Sequence, residues 1–132
     1  MKKAKYEIFE LRDLFNVKRG TIHSSSALDE GKIPLVSCKA DYNGIDRSCE
    51  VAIADTFSKA ITVASDGQPL ATFYHNYEFG AKDNVLVCLS KKKLNLSTVY
   101  FIVTELNRQR WRYSYGRKCY LNRVNKVHVF CR

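Results

Sequence analysis

The sequence predicts an α+β fold: a single compact domain over residues 1–132, with a mainly antiparallel or mixed sheet, short helices and one longer helix near residues 97–110. Three observations carry this expectation. Short apolar or β-branched stretches recur at 33–38, 60–65, 70–74 and 85–89, and turn pairs such as Asn43-Gly44 and Asp66-Gly67 interrupt them. Only one segment places its apolar residues at helical spacing for long: Val99, Ile102, Val103 and Leu106. Strands and helices do not alternate regularly, which argues against a doubly wound parallel sheet. A chain of 132 residues with 45% apolar content is one domain's worth of core.

Taken in order, residues 5–11 enter as a strand and 11–15 form a helical turn before Gly20. Residues 26–29 predict a short capped helix with Gly31 just past its end. Pro34 places the strand over 33–38 at a sheet edge, or itself at a strand start. Residues 39–47 predict a polar loop, and 75–84 a connection containing Gly80. Ser97 is the expected cap of the long helix, and Arg108 and Arg110 close it, where terminal carbonyls favour cations. A loop follows over 113–120, and Val124, Val127 and Val129 suggest a final strand.

Charge is segregated. Residues 91–132 hold 11 Lys/Arg and one acid, Glu105, a balance of +10, whereas residues 1–90 come to −1. Within the basic third, Arg108, Arg110, Arg112, Arg117 and Lys118 interleave with Trp111, Tyr113, Tyr115 and Tyr120 around Gly116. Cationic side chains neutralise phosphates and release counterions, and arginine also bonds the guanine edge with two donors. Double-stranded DNA is therefore the leading partner. Arg110, Arg112, Tyr113, Tyr115, Arg117 and Lys118 are the primary candidate contacts; Asn43, Arg47 and Asn76, in polar loops, form a second tier. A plainer reading has Arg108 and Arg110 complementing the helix end while Trp111 and Tyr113 fill the core. Lys91, Lys92 and Lys93 read as a solvated turn that can add unspecific phosphate contacts.

Catalytic signatures are missing. The chain has no phosphate-binding glycine loop, nucleophile elbow, zinc-protease helix, flipped-base tetrapeptide or magnesium-binding carboxylate series. No catalytic or metal-ligating residue is assigned, and no cofactor is expected in this chain. Five cysteines lie far apart, at 38, 49, 88, 119 and 131, without a C-x-x-C pair, which fits free thiols in a reducing cytoplasm. No apolar run is long enough to span a bilayer, so no membrane partner is expected.

An ordered series of motifs adds a resemblance: Phe-Glu-Leu-Arg-Asp-Leu-Phe at 9–15, Lys-Arg-Gly at 18–20, Gly-Lys-Ile-Pro-Leu-Val-Ser at 31–37, Asn-Gly-Ile at 43–45, Ile-Thr-Val-Ala-Ser-Asp-Gly at 61–67 and Tyr-Ser-Tyr-Gly-Arg-Lys at 113–118. In this order, over residues 6–130, the chain resembles the target-recognition domain of type I restriction-modification specificity subunits, and the related domain of type IIG restriction-methylation enzymes. The resemblance implies a non-catalytic module that reads a DNA site from the major groove. It would position separate methyltransferase and restriction subunits, with S-adenosylmethionine held on the methyltransferase. It supports the loops at 113–118 and 43–47 without assigning a base to either. Specificity subunits usually carry two such domains joined by long helices, whereas this chain has one domain and no spacer helix. It is expected to be an excised domain, a half-subunit or a stand-alone relative. The alternatives are an assembly module that docks an acidic partner, a general nucleic-acid binder, and a small nuclease.

Overall fold

The computed structural model describes residues 7–114 and 117–131. Among the described residues, ten strands form three sheets. The central one is antiparallel throughout, in the order β2 (Phe15–Arg19), β9 (Val85–Ser90), β6 (Ala60–Ala64), β7 (Thr72–His75). A second four-stranded sheet runs β4 (Ile45–Cys49), β3 (Glu30–Val36), β8 (Phe79–Ala81), β5 (Thr56–Phe57), with β3 and β8 parallel. The first and last strands, β1 (Glu7–Glu10) and β10 (His128–Cys131), form an antiparallel pair. With α1 (Leu11–Leu14), α2 (Leu96–Arg108) and α3 (Leu121–Asn125) among the described residues, this is the α+β domain the sequence predicts.

The period-two alternation of β9 shows how the layers are held. Leu86 and Cys88 face one way, into a core shared with Val99, Ile102 and Leu106 of α2 and Val124 of α3. Val85 and Val87 face the other way, into a second core with Val36, Phe79 and Ala81 of the second sheet. Strand β6 is buried at all five positions for the same reason, since both its faces are covered. Asn107 ties α2 to the edge strand β7, accepting from Thr72 N–H at 3.0 Å and donating to its carbonyl at 2.8 Å.

Several local expectations are corrected. The helix cap is Asn95, whose Oδ1 accepts from Thr98 N–H at 2.8 Å, and not Ser97, which lies inside the first turn. Residues 25–27 make one 3-10 turn with no buried side chain and no cap. Gly31 lies within β3, where an added Cβ would fall 2.5 Å from the Cys49–Glu50 backbone. Pro34 sits in an internal strand, yet β8 pairs only with Leu35 and Val36, so its missing N–H costs no hydrogen bond in that ladder. The loop expected over 39–47 turns into β4 from Ile45, and Gly80 is the middle of β8. Val124 belongs to α3, and the final strand begins only at His128.

Candidate nucleic-acid interface

Three features converge at one end of the central sheet: Arg19 at the close of β2, the turn from Ser65 to Leu70 between β6 and β7, and Asn84 at the entry to β9. Helix α2 runs so that its C-terminus reaches the same end, where Asn107 bonds Thr72. Gln109 is buried there and donates from Nε2 to the His128 carbonyl at 2.9 Å, which anchors the chain as it leaves the helix. Residues 110–112 follow as a single 3-10 turn.

The cations of this segment divide into two groups. Arg108 holds Glu105 with two hydrogen bonds, at 3.0 and 3.2 Å. Arg110 donates from Nη2 to Gln68 Oε1 at 3.1 Å, and its buried Nε has no partner among the described residues. Lys118 reaches Asp66 at 3.3 Å. The Asp66 carboxyl lies below its ordinary value, first through the Gly67 N–H at 2.7 Å and then through Lys118. Gly67 has φ of 60°, which suits glycine at this tight turn. These residues brace the basic segment against the 65–70 turn, as does the Cys119 N–H bond to the Ser65 carbonyl at 2.9 Å.

Trp111, Arg112 and Arg117 face solvent. Trp111 is 77% exposed, and the Arg112 guanidinium lies 5.3 Å from its ring centroid. That pairing presents a flat cationic and aromatic surface of the kind that meets phosphates and bases. Ser114 and Arg117 exchange backbone hydrogen bonds at 3.0 and 2.9 Å. Tyr115 and Gly116 lie outside the described residues. Tyr113 is half-buried against Cys119; burial and the neighbouring sulfur push its hydroxyl above the usual tyrosine value. Burial likewise raises the Cys119 thiol to about 12, so it is an inert packing residue.

A cleft of about 420 Å³ continues this end of the molecule, lined among others by Arg19, Thr21, His23, Asp66 and Tyr120. Tyr120 is half-exposed at its edge, and His23 is held 3.2 Å from Asp83. On the other side, Gln68 shares a groove with Lys39, Ala40 and Asp41, which joins residues 38–41 to the same face.

The second-tier candidates have different surroundings. Asn43 is exposed in a left-handed turn, and its amide nitrogen donates to Tyr77 Oη at 2.8 Å. Arg47 is half-buried and donates to the carbonyls of Leu28, at 2.7 Å, and Ser25, so it braces the 25–28 turn. Asn76 is exposed beside this cluster. Lys91, Lys92 and Lys93 follow Ser90, at the end of the central sheet opposite the basic loop. Sequence reasoning passed over Tyr42, 77% exposed with Lys39 Nζ 5.1 Å from its ring, and Gln68, which bonds Arg110 and lines the groove with Lys39. The Asn-Gly pair marked that turn, but nothing in it signalled which ring would be turned outward.

No group of three or more His, Cys, Asp or Glu is placed to hold a metal ion among the described residues, and Cys38, Cys49, Cys88 and Cys119 are free thiols. No helix among them is long and apolar enough to cross a membrane.

Comparison with known proteins agrees with this architecture. A family model described as the type I restriction modification DNA specificity domain matches residues 3–127. No curated protein sequence matches significantly. Among solved structures, the chain is similar to the S subunit of a type I restriction-modification system from M. genitalium (TM-score 0.75, 20% identity, 96% of this chain and 34% of that one). It is also similar to the HsdS subunit from Thermoanaerobacter tengcongensis (TM-score 0.72, 10% identity, 96% and 33%). A chain from a structural study of complex assembly and conformational transition in the type I system gives TM-score 0.71, with 14% identity and coverage of 96% and 34%. The chain thus spans about a third of the length of these structures.

Proposed function

This chain belongs to the type I restriction-modification DNA specificity domain family, and we propose that it binds double-stranded DNA sequence-specifically through the face that carries Arg112, Arg117 and Trp111. The observation that supports this most is the division of labour in the basic segment. Arg110 and Lys118 fix the loop to the 65–70 turn, while Arg112 and Arg117 extend from it uncovered. Preorganised cations on a rigid sheet end suit phosphate positioning, and an arginine that enters the major groove reads guanine. Tyr113 shapes the loop from beneath, and Tyr115 is the remaining candidate for base contact. Arg47 acts as a brace and Asn76 as a peripheral contact. The domain has no catalysis of its own; it positions separate methyltransferase and restriction subunits, and S-adenosylmethionine is bound by the methyltransferase.

Salt titration tests the binding mode. Affinity for a duplex measured by fluorescence anisotropy should fall with salt, with a log–log slope of about −0.9 per neutralised phosphate; about five contacts give roughly −4.5. Single strands and RNA should compete poorly. A slope near zero overturns the proposal, and tight capture of an acidic protein together with indifference to duplex DNA favours an assembly module instead.

A further inference from the structure

Asn43 is held more tightly than an exposed loop residue ordinarily is. Tyr42, Asn43 and Gly44 have φ of 49°, 56° and 77°, a left-handed run that asparagine and glycine tolerate best. The Asn43 amide nitrogen donates to Tyr77 Oη at 2.8 Å, and its other hydrogen faces the Tyr74 carbonyl at 3.4 Å and His75 Nδ1 at 3.3 Å. A backbone carbonyl can only accept, so the atom facing it is the nitrogen, and the amide orientation follows. Tyr77 Oη in turn donates to His75 Nδ1 at 2.8 Å, which leaves the His75 Nε2–H to donate to Thr62 Oγ1 at 2.8 Å. His75 and Thr62 are buried, so the chain of bonds is rooted in the core between the two sheets. The amide nitrogen thus faces inward, bonded to Tyr77 Oη and close to the Tyr74 carbonyl. Its Oδ1 has no partner among the described residues, and Asn43 itself is exposed.

We propose that Asn43 is a specificity-determining residue that acts only as an acceptor, reading the exocyclic amino group of adenine or cytosine in the major groove and rejecting guanine and thymine. The inference rests on the duplex-reading function proposed above. An unrestrained asparagine reads adenine with two bonds, accepting from N6 and donating to N7. Here Tyr77 and Tyr74 withhold the donor, so N7 plays no part and adenine loses its advantage over cytosine. Guanine O6 and thymine O4 present an acceptor where the amino group would be, and two acceptors repel. Tyr77 and His75 are positioning residues in this scheme. They fix the amide without touching the base.

The test is a randomised-duplex selection with the wild-type chain, Asn43→Gly and Tyr77→Phe. Glycine keeps the left-handed backbone, and Tyr77→Phe is a second route should Asn43→Gly fail to fold. Wild type is expected to restrict one position to adenine or cytosine, and Asn43→Gly to make that position alone degenerate. With adenine there, an analogue lacking the 6-amino group should weaken wild-type binding by roughly five- to a hundredfold, whereas 7-deazaadenine should leave it unchanged. Tyr77→Phe frees a donor, so it should narrow the position to adenine and make it sensitive to 7-deazaadenine. The inference is overturned if Asn43→Gly relaxes no position, or if 7-deazaadenine costs wild type as much as loss of the amino group. A wild-type motif that neither substitution alters defeats this inference alone. Absence of any wild-type motif defeats the duplex-reading function with it.

Discussion

Acidification is the sharpest perturbation of the buried network behind Asn43. His75 is fully buried, and burial pushes its imidazole from the ordinary 6.5 down to about 4. Between those values the unfolded chain binds a proton that the native chain refuses. Stability is therefore fully present above about pH 6.5, falls as pH drops through that window, and levels off below about pH 4. The gap between the two values is worth about 3 kcal/mol in total, of which about 2 kcal/mol is lost by pH 5. Asp66, held below its ordinary carboxylate value, titrates only at lower pH, and its loss falls outside this window. Urea unfolding followed by circular dichroism at pH 8, 7, 6 and 5 measures the effect. With a slope of about 2 kcal/mol per molar for a small domain, the midpoint should fall by about 1 M across that range. His75→Gln should remove most of the dependence. A wild-type midpoint constant from pH 8 to 5, or the same fall in His75→Gln, refutes the assignment of a neutral buried imidazole.

Further substitutions separate scaffold from surface. Leu106→Ala empties a fully buried site between α2 and the central sheet and should cost about 2–5 kcal/mol in denaturant unfolding. Asn95→Ala removes the α2 cap and should cost about 1 kcal/mol in the same assay, while Ser97→Ala should cost much less. Arg47→Ala should lower stability by about 1–3 kcal/mol through the orphaned 25–28 carbonyls, with no change in the salt slope of duplex binding. Arg112→Ala or Arg117→Ala should leave unfolding nearly unchanged. Each should reduce that slope by about 1 if its guanidinium meets a phosphate, or relax one base position if it meets an edge.

The sequence made the fold class legible where periodicity was strong. The continuous apolar or β-branched runs of 60–64 and 85–89 and the helical stripe from Val99 to Leu106 appear as β6, β9 and α2. Elements with weak side-chain signals escaped it. Strand β4 is spelled Ile-Asp-Arg-Ser-Cys, with only one covered face, and β8 is three residues around a glycine. Val124 fits a strand or a helix equally by periodicity; one turn of helix wins because it buries Val124 in the core shared with α1 and α2. The basic segment was visible as composition, but the split into bracing and uncovered cations was not. It depends on Gln68 and Asp66, which lie 42 and 52 residues away from Arg110 and Lys118. Asn43 was legible as a turn residue, whereas the inward commitment of its amide depends on residues 74–77 packing beneath it.

Selection from a library of randomised duplexes, sequenced after several rounds at physiological salt, is the most direct measurement of what this domain does. A short enriched motif, weakened at defined positions by Arg112→Ala or Arg117→Ala, is the predicted result. Recovery of unenriched library despite salt-sensitive binding would contradict sequence reading by this face.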